Sequence, residues 1–376
     1  MAGIYIHIPF CKQACHYCNF HFSTSLRHRD EMVTAICKEI DLQKDFLTNK
    51  NLTTIYFGGG TPSLLETSEI NQILERLSKN YSWENDIEIT LEANPDDITT
   101  EKISKLRAGG INRLSIGIQS FIDSELLASN RAHNSDESLK AVQICQDAGI
   151  DNLSIDIIYG MPSSTQDSWQ YNIDKALELD VDHISSYALT VEPKTFLDHM
   201  VKKGGILLPK EIEVNKQYLQ LIHSLTTAGY DHYEISNFAK PSKYAVHNTN
   251  YWMSVPYLGL GPSAHSYQPT FRQWNISNNA KYIKSISKGV IPSEREQTKY
   301  ADQFNEYIMT RLRTMWGVDL NELDNRFSSE LNNVHKDIAK YIKSQHVILE
   351  ANHYRLTPKG KLLADRIASD LFLVEE

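Results

Sequence analysis

An incomplete (β/α)6 barrel followed by a mainly helical, winged-helix-like C-terminal domain is the α/β fold this sequence predicts, on three observations. Short β-branched runs alternate with longer amphipathic stretches through residues 1–205, the rhythm of βα units on a parallel sheet. Glycines follow predicted helices at 108–110 (AGG) and 147–149 (DAG), where a helix C-terminus prefers them. The rhythm then breaks, and from about residue 295 the chain reads as helical with a terminal hairpin and helix. Three segments follow: a barrel over 1–205, a barrel extension over 206–294 and the C-terminal domain over 295–376.

Six strands are predicted at Ile4–Ile8, Thr54–Phe57, Ile87–Leu91, Arg113–Ile118, Leu153–Ile158 and His183–Leu189, with helices near 28–47, 67–79, 99–108, 136–148 and 166–179. Right-handed crossovers curl such a sheet, and six units with polar residues at strand ends favour an open barrel over the closed eightfold one. Beyond it come a helix-like 210–228, a strand-like HYEISNF and an aromatic, Gly- and Pro-containing segment, Tyr244–Trp274, expected to be functional loop. The ending VILEANHYRLTPKGKLLADRIASDLF reads as a hairpin and helix. Residues 300–376 carry 10 Lys plus Arg against 12 Asp plus Glu, which favours a protein-packing module over a DNA-reading wing.

With 41% hydrophobic and 23% charged residues, the chain lies far from disordered and fibrous compositions. A net charge of -9 argues against nucleic acid as a partner. Apolar runs fall short of the ~20 residues that cross a bilayer, and the N-terminus lacks a basic stretch leading into an apolar one, so a cytoplasmic protein is expected. Five cysteines, three of them crowded at Cys11, Cys15 and Cys18, suit a metal site in a reducing compartment rather than disulfides. Cys37 and Cys145 sit in amphipathic helical patterns and read as core thiols.

The loop Cys11-Lys-Gln-Ala-Cys15-His-Tyr-Cys18 directly follows the first strand, at the carboxyl end of the sheet where α/β proteins place their sites. Three thiolates on one loop can hold three corners of a 4Fe-4S cube and leave one iron open. A structural zinc site, with His7 or His16 as fourth ligand, is the alternative, although zinc commonly takes two CxxC pairs and no second pair exists here.

This CxxxCxxC loop resembles that of the radical S-adenosylmethionine superfamily. There, the open iron is chelated by the methionine moiety, and one electron from the reduced cluster cleaves the sulfonium C–S bond to give a 5′-deoxyadenosyl radical that the protein must orient and shield. Gly58-Gly59-Gly60-Thr61-Pro62 ends the second strand. Taken alone it is an ordinary turn; the resemblance makes it the strand end that meets the methionine amino group, with Gly59, Gly60 and Thr61 as contacts. Glu92, Gln119, Arg131 and Asp156 each lie at or just beyond a predicted strand end. Likeness to the oxygen-independent coproporphyrinogen III oxidase-like branch makes them S-adenosylmethionine contacts: Asp156 to a ribose hydroxyl, Arg131 to a carboxylate, Glu92 and Gln119 to polar groups. Tyr5, Tyr17 and Ala188 match further contacts there. Asn130 departs from the Gly that relatives carry before the arginine.

That branch contains the oxidase and the haem chaperones of HemW type. The oxidase has a cysteine where this chain has Phe20, and an N-terminal extension where Tyr5 already lies in the first strand. His247-Asn248-Thr249-Asn250-Tyr251-Trp252 matches the chaperones' HNxxYW motif. In that likeness His247 is an axial haem ligand, with Tyr251 and Trp252 as apolar contacts for the porphyrin, on a surface separate from the cysteine loop. The resemblance thus implies a 4Fe-4S cluster, S-adenosylmethionine and haem as cofactors, and delivery of haem to respiratory apoproteins at the membrane surface. A radical oxidoreductase acting on coproporphyrinogen III is the rival reading.

Overall fold

The computed structural model describes residues 1–374. Six parallel strands, β1 (Gly3–Ile8), β2 (Asn51–Gly59), β3 (Ser82–Ala93), β4 (Arg113–Gln119), β5 (Leu153–Tyr159) and β6 (His183–Ala188), pair in sequence order. The helices α1 (Arg29–Leu42), α2 (Thr67–Ser78), α3 (Thr100–Ala108), α4 (Asp123–Ala128), α5 (Ser135–Asp147) and α6 (Gln166–Glu178) connect them. Period-two alternation gives the sheet its two faces. Ile4, Ile6, Ile8, Ile55, Phe57 and Leu91 pack outward into the helix layer, whereas Tyr5, Thr54, Tyr56, Glu92, Ser115 and Asp156 turn inward, making a polar and aromatic lumen. Glycine does what the sequence predicts at the ends of α3 and α5: Gly110 and Gly149 sit at φ 101° and 75°, conformations that cost other residues energy.

The chain continues as α7 (Phe196–Lys202), α8 (Glu211–Thr227), β7 (Asp231–Glu234), β8 (Asn237–Ala239), α9 (Val246–Trp252), β9 (Tyr257–Leu260), β10 (His265–Gln268), β11 (Phe271–Asn275), α10 (Asn279–Ser287) and β12 (Ser293–Gln297). These extend the barrel sheet at both edges, to the order β12-β11-β10-β9-β1-β2-β3-β4-β5-β6-β8-β7. The segment expected as loop, Tyr244–Trp274, is thus mostly regular structure. Its strands are only four or five residues long, and β9 forms by parallel pairing with the free edge of β1, a partner some 250 residues away that local pattern cannot reveal. The predicted single strand in HYEISNF is a hairpin, β7 and β8. The first helix stops at Leu42 rather than 47, because Leu47 turns back into the core.

A buried carboxylate fastens the extension to the barrel. Glu39 of α1 accepts hydrogen bonds from Gly261 N (2.8 Å), Tyr282 Oη (2.5 Å), Asn275 Nδ2 (2.6 Å) and Gln43 Nε2 (2.9 Å). Even so, loss of water pushes its carboxyl up to about 7.

The remainder, α11 (Tyr300–Leu312), β13 (Val318–Asp319), α12 (Leu320–Phe327), α13 (Leu331–Lys343), β14 (Val347–Glu350), β15 (His353–Leu356), α14 (Pro358–Lys361) and α15 (Ala364–Ser369), has a core of its own around Phe304, Ile308, Leu323, Ile338 and Ile367. Its small sheet is ordered β13-β15-β14, the hairpin and helices that the sequence predicts. Among the described residues, no helix is long and apolar enough to cross a membrane.

Candidate functional site

The cysteine loop is fixed by backbone on both sides. Cys11 N donates to Ser23 O (3.0 Å) and Ser23 N to Pro9 O (2.9 Å). His16 N donates to Ser129 O (3.1 Å), and Leu197 N to His16 O (2.8 Å), tying the loop to α4 and α7. Asn130 completes the clamp. It sits at φ 55°, a left-handed conformation that Asn tolerates better than any other residue with a side chain. Its Nδ2 donates to Ala14 O (2.7 Å), and Gln13 Nε2 donates to its Oδ1 (2.9 Å) and O (2.8 Å). The departure from Gly therefore keeps the backbone and adds side-chain bonds to the loop.

The sulfurs already receive hydrogen bonds, Cys18 from the Phe20 backbone. Thr61 Oγ1 donates to Cys11 Sγ (3.5 Å) and Arg131 Nη1 to Cys15 Sγ (3.2 Å). Burial pushes the Cys11 thiol up to about 11, against the Thr61 bond, and raises Cys18 also. Metal binding here must displace protons, as thiolate ligation generally does. Both ring nitrogens of His7 are engaged, Nε2 with His21 O (2.9 Å) and Nδ1 with Tyr5 Oη (3.2 Å), as is one of His16, Nδ1 with Ala128 O (2.9 Å), its ring lying against Phe196.

Behind the cysteines lies a cavity of about 460 Å³. Cys11, Cys15, Cys18, Tyr17, Gly59, Gly60, Thr61, Glu92, Gln119, Arg131, Asp156 and Ala188, all singled out in the sequence, line it. Tyr5 does not; it stacks on Tyr56 with centroids 6.1 Å apart, deeper in the lumen. Arg131 is anchored by Nη2 to Asn94 Oδ1 (2.8 Å) and Gly117 O (2.7 Å), and its buried Nε has no partner. Glu92 accepts from Tyr56 Oη (2.8 Å) and Gly59 N (3.1 Å), while desolvation raises its carboxyl to about 7. Asp156, also raised by desolvation, accepts from Ser115 Oγ at 3.2 Å. Gln119 lies beside a register shift in the β4–β5 ladder at φ 72°, strain of the kind that collects at functional positions.

The glycine run serves close packing as well as access. A Cβ on Gly60 would lie 2.6 Å from Phe10 O and 2.8 Å from Ile8 O, so β2 can press against the root of the cysteine loop only without a side chain there.

The HNxxYW motif does not form the separate surface expected. It is α9, seated across the lower end of the lumen, and His247 is 2% exposed. Its Nδ1 pairs with Thr54 Oγ1 (2.8 Å) and its Nε2 with Tyr251 Oη (2.7 Å), and its ring stacks on Tyr56 at 5.0 Å. Burial lowers its pKa to about 3, so the ring is neutral. Glu88 Oε2 and Oε1 accept the first two amides of α9, from Val246 (2.8 Å) and His247 (2.9 Å). Sequence pattern places a polar loop here because the motif's polar groups are satisfied by strands far away in the chain. His265 lies on β10 beside Trp274, outside the cavity lining.

The radical SAM superfamily profile matches residues 5–176, and the HemN C-terminal domain profile residues 301–363. A haem chaperone HemW of Haemophilus influenzae is 33% identical, covering 100% of this chain and 98% of its own. The chain belongs to the HemW haem-chaperone family. The HemW of Bacillus subtilis is 31% identical over 98% of both chains, and that of Synechocystis 36% over 84% of this chain and 78% of its own. Coproporphyrinogen III oxidase (HemN) from Escherichia coli, at 23% identity, superposes with a TM-score of 0.85 over 99% of this chain and 90% of its own; it shares the fold.

Membership of the radical SAM superfamily implies a 4Fe-4S cluster and S-adenosylmethionine, and this HemW relative's residues suit both. Three cysteines on one loop border the cavity, and the spare Nε of Arg131 is a donor of the kind a carboxylate takes. Sequence reading missed Asn94, Ser115, Gly117 and Tyr187, which also line the cavity. Asn94 lies two residues after Glu92, and Ser115 and Gly117 alternate along β4 toward Gln119, so period-two spacing from the chosen residues would have found three of them.

Proposed function

We propose that this protein is a haem chaperone which carries a 4Fe-4S cluster on Cys11, Cys15 and Cys18 and S-adenosylmethionine in the adjoining cavity, binds haem through His247, Tyr251 and Trp252, and passes it to respiratory apoproteins from the cytoplasm, at the membrane surface. When bound, the cluster supplies single electrons and an open iron. Around it the chain's own residues have separate tasks: Arg131 faces a carboxylate, Asp156 a ribose hydroxyl, and Tyr17, Glu92, Gln119 and the backbone at Gly59, Gly60 and Ala188 enclose the cofactor. Tyr5 and Tyr56 lie deeper than the cavity, and Tyr56 Oη holds Glu92 from there.

The observation that carries the choice of carrier over oxidase is the likeness to a HemW haem chaperone over the whole chain, 33% identical over 100% of it, with Phe20 at the position where the sequence comparison above gives the oxidase a cysteine. The cavity of about 460 Å³ lies within the range for one small ligand, roughly 300–1,000 Å³. Anaerobically reconstituted protein, given haemin in one arm and coproporphyrinogen III with S-adenosylmethionine and reductant in the other, tests the proposal. Stable haem uptake without decarboxylation is expected; decarboxylation without haem uptake refutes it.

A further inference from the structure

Helix α9 is held by two different parts of the molecule. Its N-terminal end belongs to the barrel, through Glu88 and the His247–Thr54 pair. Its C-terminal end belongs to the C-terminal domain: Arg311 Nη1 donates to Trp252 O (3.3 Å) and to Met253 Sδ, and the Arg313 guanidinium lies 5.8 Å from the Trp252 ring centroid, within cation–π range. Both arginines are anchored in their own domain, Arg311 to Glu322 (3.3 Å) and Arg313 to Asp365.

The turns on either side of α9 each carry a residue in the left-handed region. Ser242 and Ser254 adopt φ 66° and 56°, left-handed conformations that a serine occupies only under constraint. Neither ring nitrogen of His247 is available while α9 is seated, so anything that binds iron through this imidazole requires the helix to leave the lumen.

We infer that the C-terminal domain is a latch: Arg311 and Arg313 hold α9 in the barrel, and their release frees the HNxxYW helix to present His247. What enters then rests on the haem reading above; the latch itself does not. The winged-helix-like module thereby acquires a task that its near-neutral charge balance leaves open, control of access to the motif. Haem uptake is gated by opening, so its apparent affinity carries the cost of unseating α9.

Hydrogen exchange of amides 246–253 in the full-length protein, together with the rate of haemin uptake followed at the Soret band, tests the latch. Arg311→Ala removes the bonds to α9; Glu322→Ala leaves Arg311 in place but frees its anchor, and serves if the first variant does not fold. Each is expected to speed exchange at 246–253 about tenfold, the scale for losing a hydrogen bond to a charged group, and to speed haemin uptake in proportion. Unchanged exchange in the folded variants overturns the latch. Faster exchange with no haemin uptake by any form keeps the latch and removes the haem reading. Haemin uptake by the wild type while amides 246–253 stay protected overturns the latch and leaves the haem reading intact.

Discussion

Replacing Asn130 separates backbone geometry from side-chain bonding at the cysteine loop. At φ 55° an alanine pays about 1 kcal/mol for the left-handed conformation, and the lost bonds from Asn130 Nδ2 to Ala14 O and from Gln13 Nε2 to Asn130 Oδ1 are each worth about 1 kcal/mol. Asn130→Ala is therefore expected to cost about 3 kcal/mol. Asn130→Gly keeps the backbone at ease and loses only the bonds, about 2 kcal/mol. Urea unfolding of the apo chain measures both, and the half-life of the reconstituted cluster against a chelator reports whether the clamp matters to the site. The expected order is wild type, Gly, Ala in both assays. Alanine and glycine variants indistinguishable from wild type in both would refute the reasoning.

Cys15→Ser is expected to abolish the cluster, normally about four iron and four sulfide per chain, whereas Cys37→Ser, whose buried thiol packs between α1 and α2 with Gln72 O 3.8 Å away, leaves the iron content unchanged; iron and sulfide assays check both. Asp156→Ala should weaken the change that S-adenosylmethionine makes in the reduced cluster's paramagnetic resonance spectrum without loss of iron; an unaltered titration would make Asp156 purely structural. Glu39 gives a pH test. Its carboxyl is raised from 4.5 to about 7 in the fold, so its contribution is fully present below about 4.5 and is lost as pH rises through 7, by at most about 3 kcal/mol. Wild-type stability measured relative to Glu39→Gln should fall between pH 4.5 and 7 and then level off; parallel profiles would contradict the burial argument.

The six barrel strands were legible because each is a buried run with a local signature, and the site residues because parallel βα units put chemistry at strand ends. Cys11, Thr61, Glu92 and Asp156 come together from four different βα units for that reason. The region after residue 240 was not legible in the same way. β9 exists because β1 has a free edge, and His247 of α9 is buried because Thr54 engages its ring, Glu88 accepts its amide and Tyr56 stacks on it from across the lumen. Nothing within the motif's own sequence distinguishes His247 in a loop from His247 in a barrel. Asn130 shows the converse: its departure from Gly is visible in the sequence, but its compensation, the bonds to Gln13 and Ala14, is visible only in three dimensions.

The pinned ends of the cysteine loop bear on what holds its shape. In small zinc domains the ligands find one another only when the metal arrives, and removing it unfolds the chain. Here Cys11 is tied to Ser23 and His16 to Ser129 and Leu197 by backbone bonds that involve no metal. No cysteine side chain contributes to these anchors, so the three thiols can be exchanged for serine without removing any bond that places the ends of the loop.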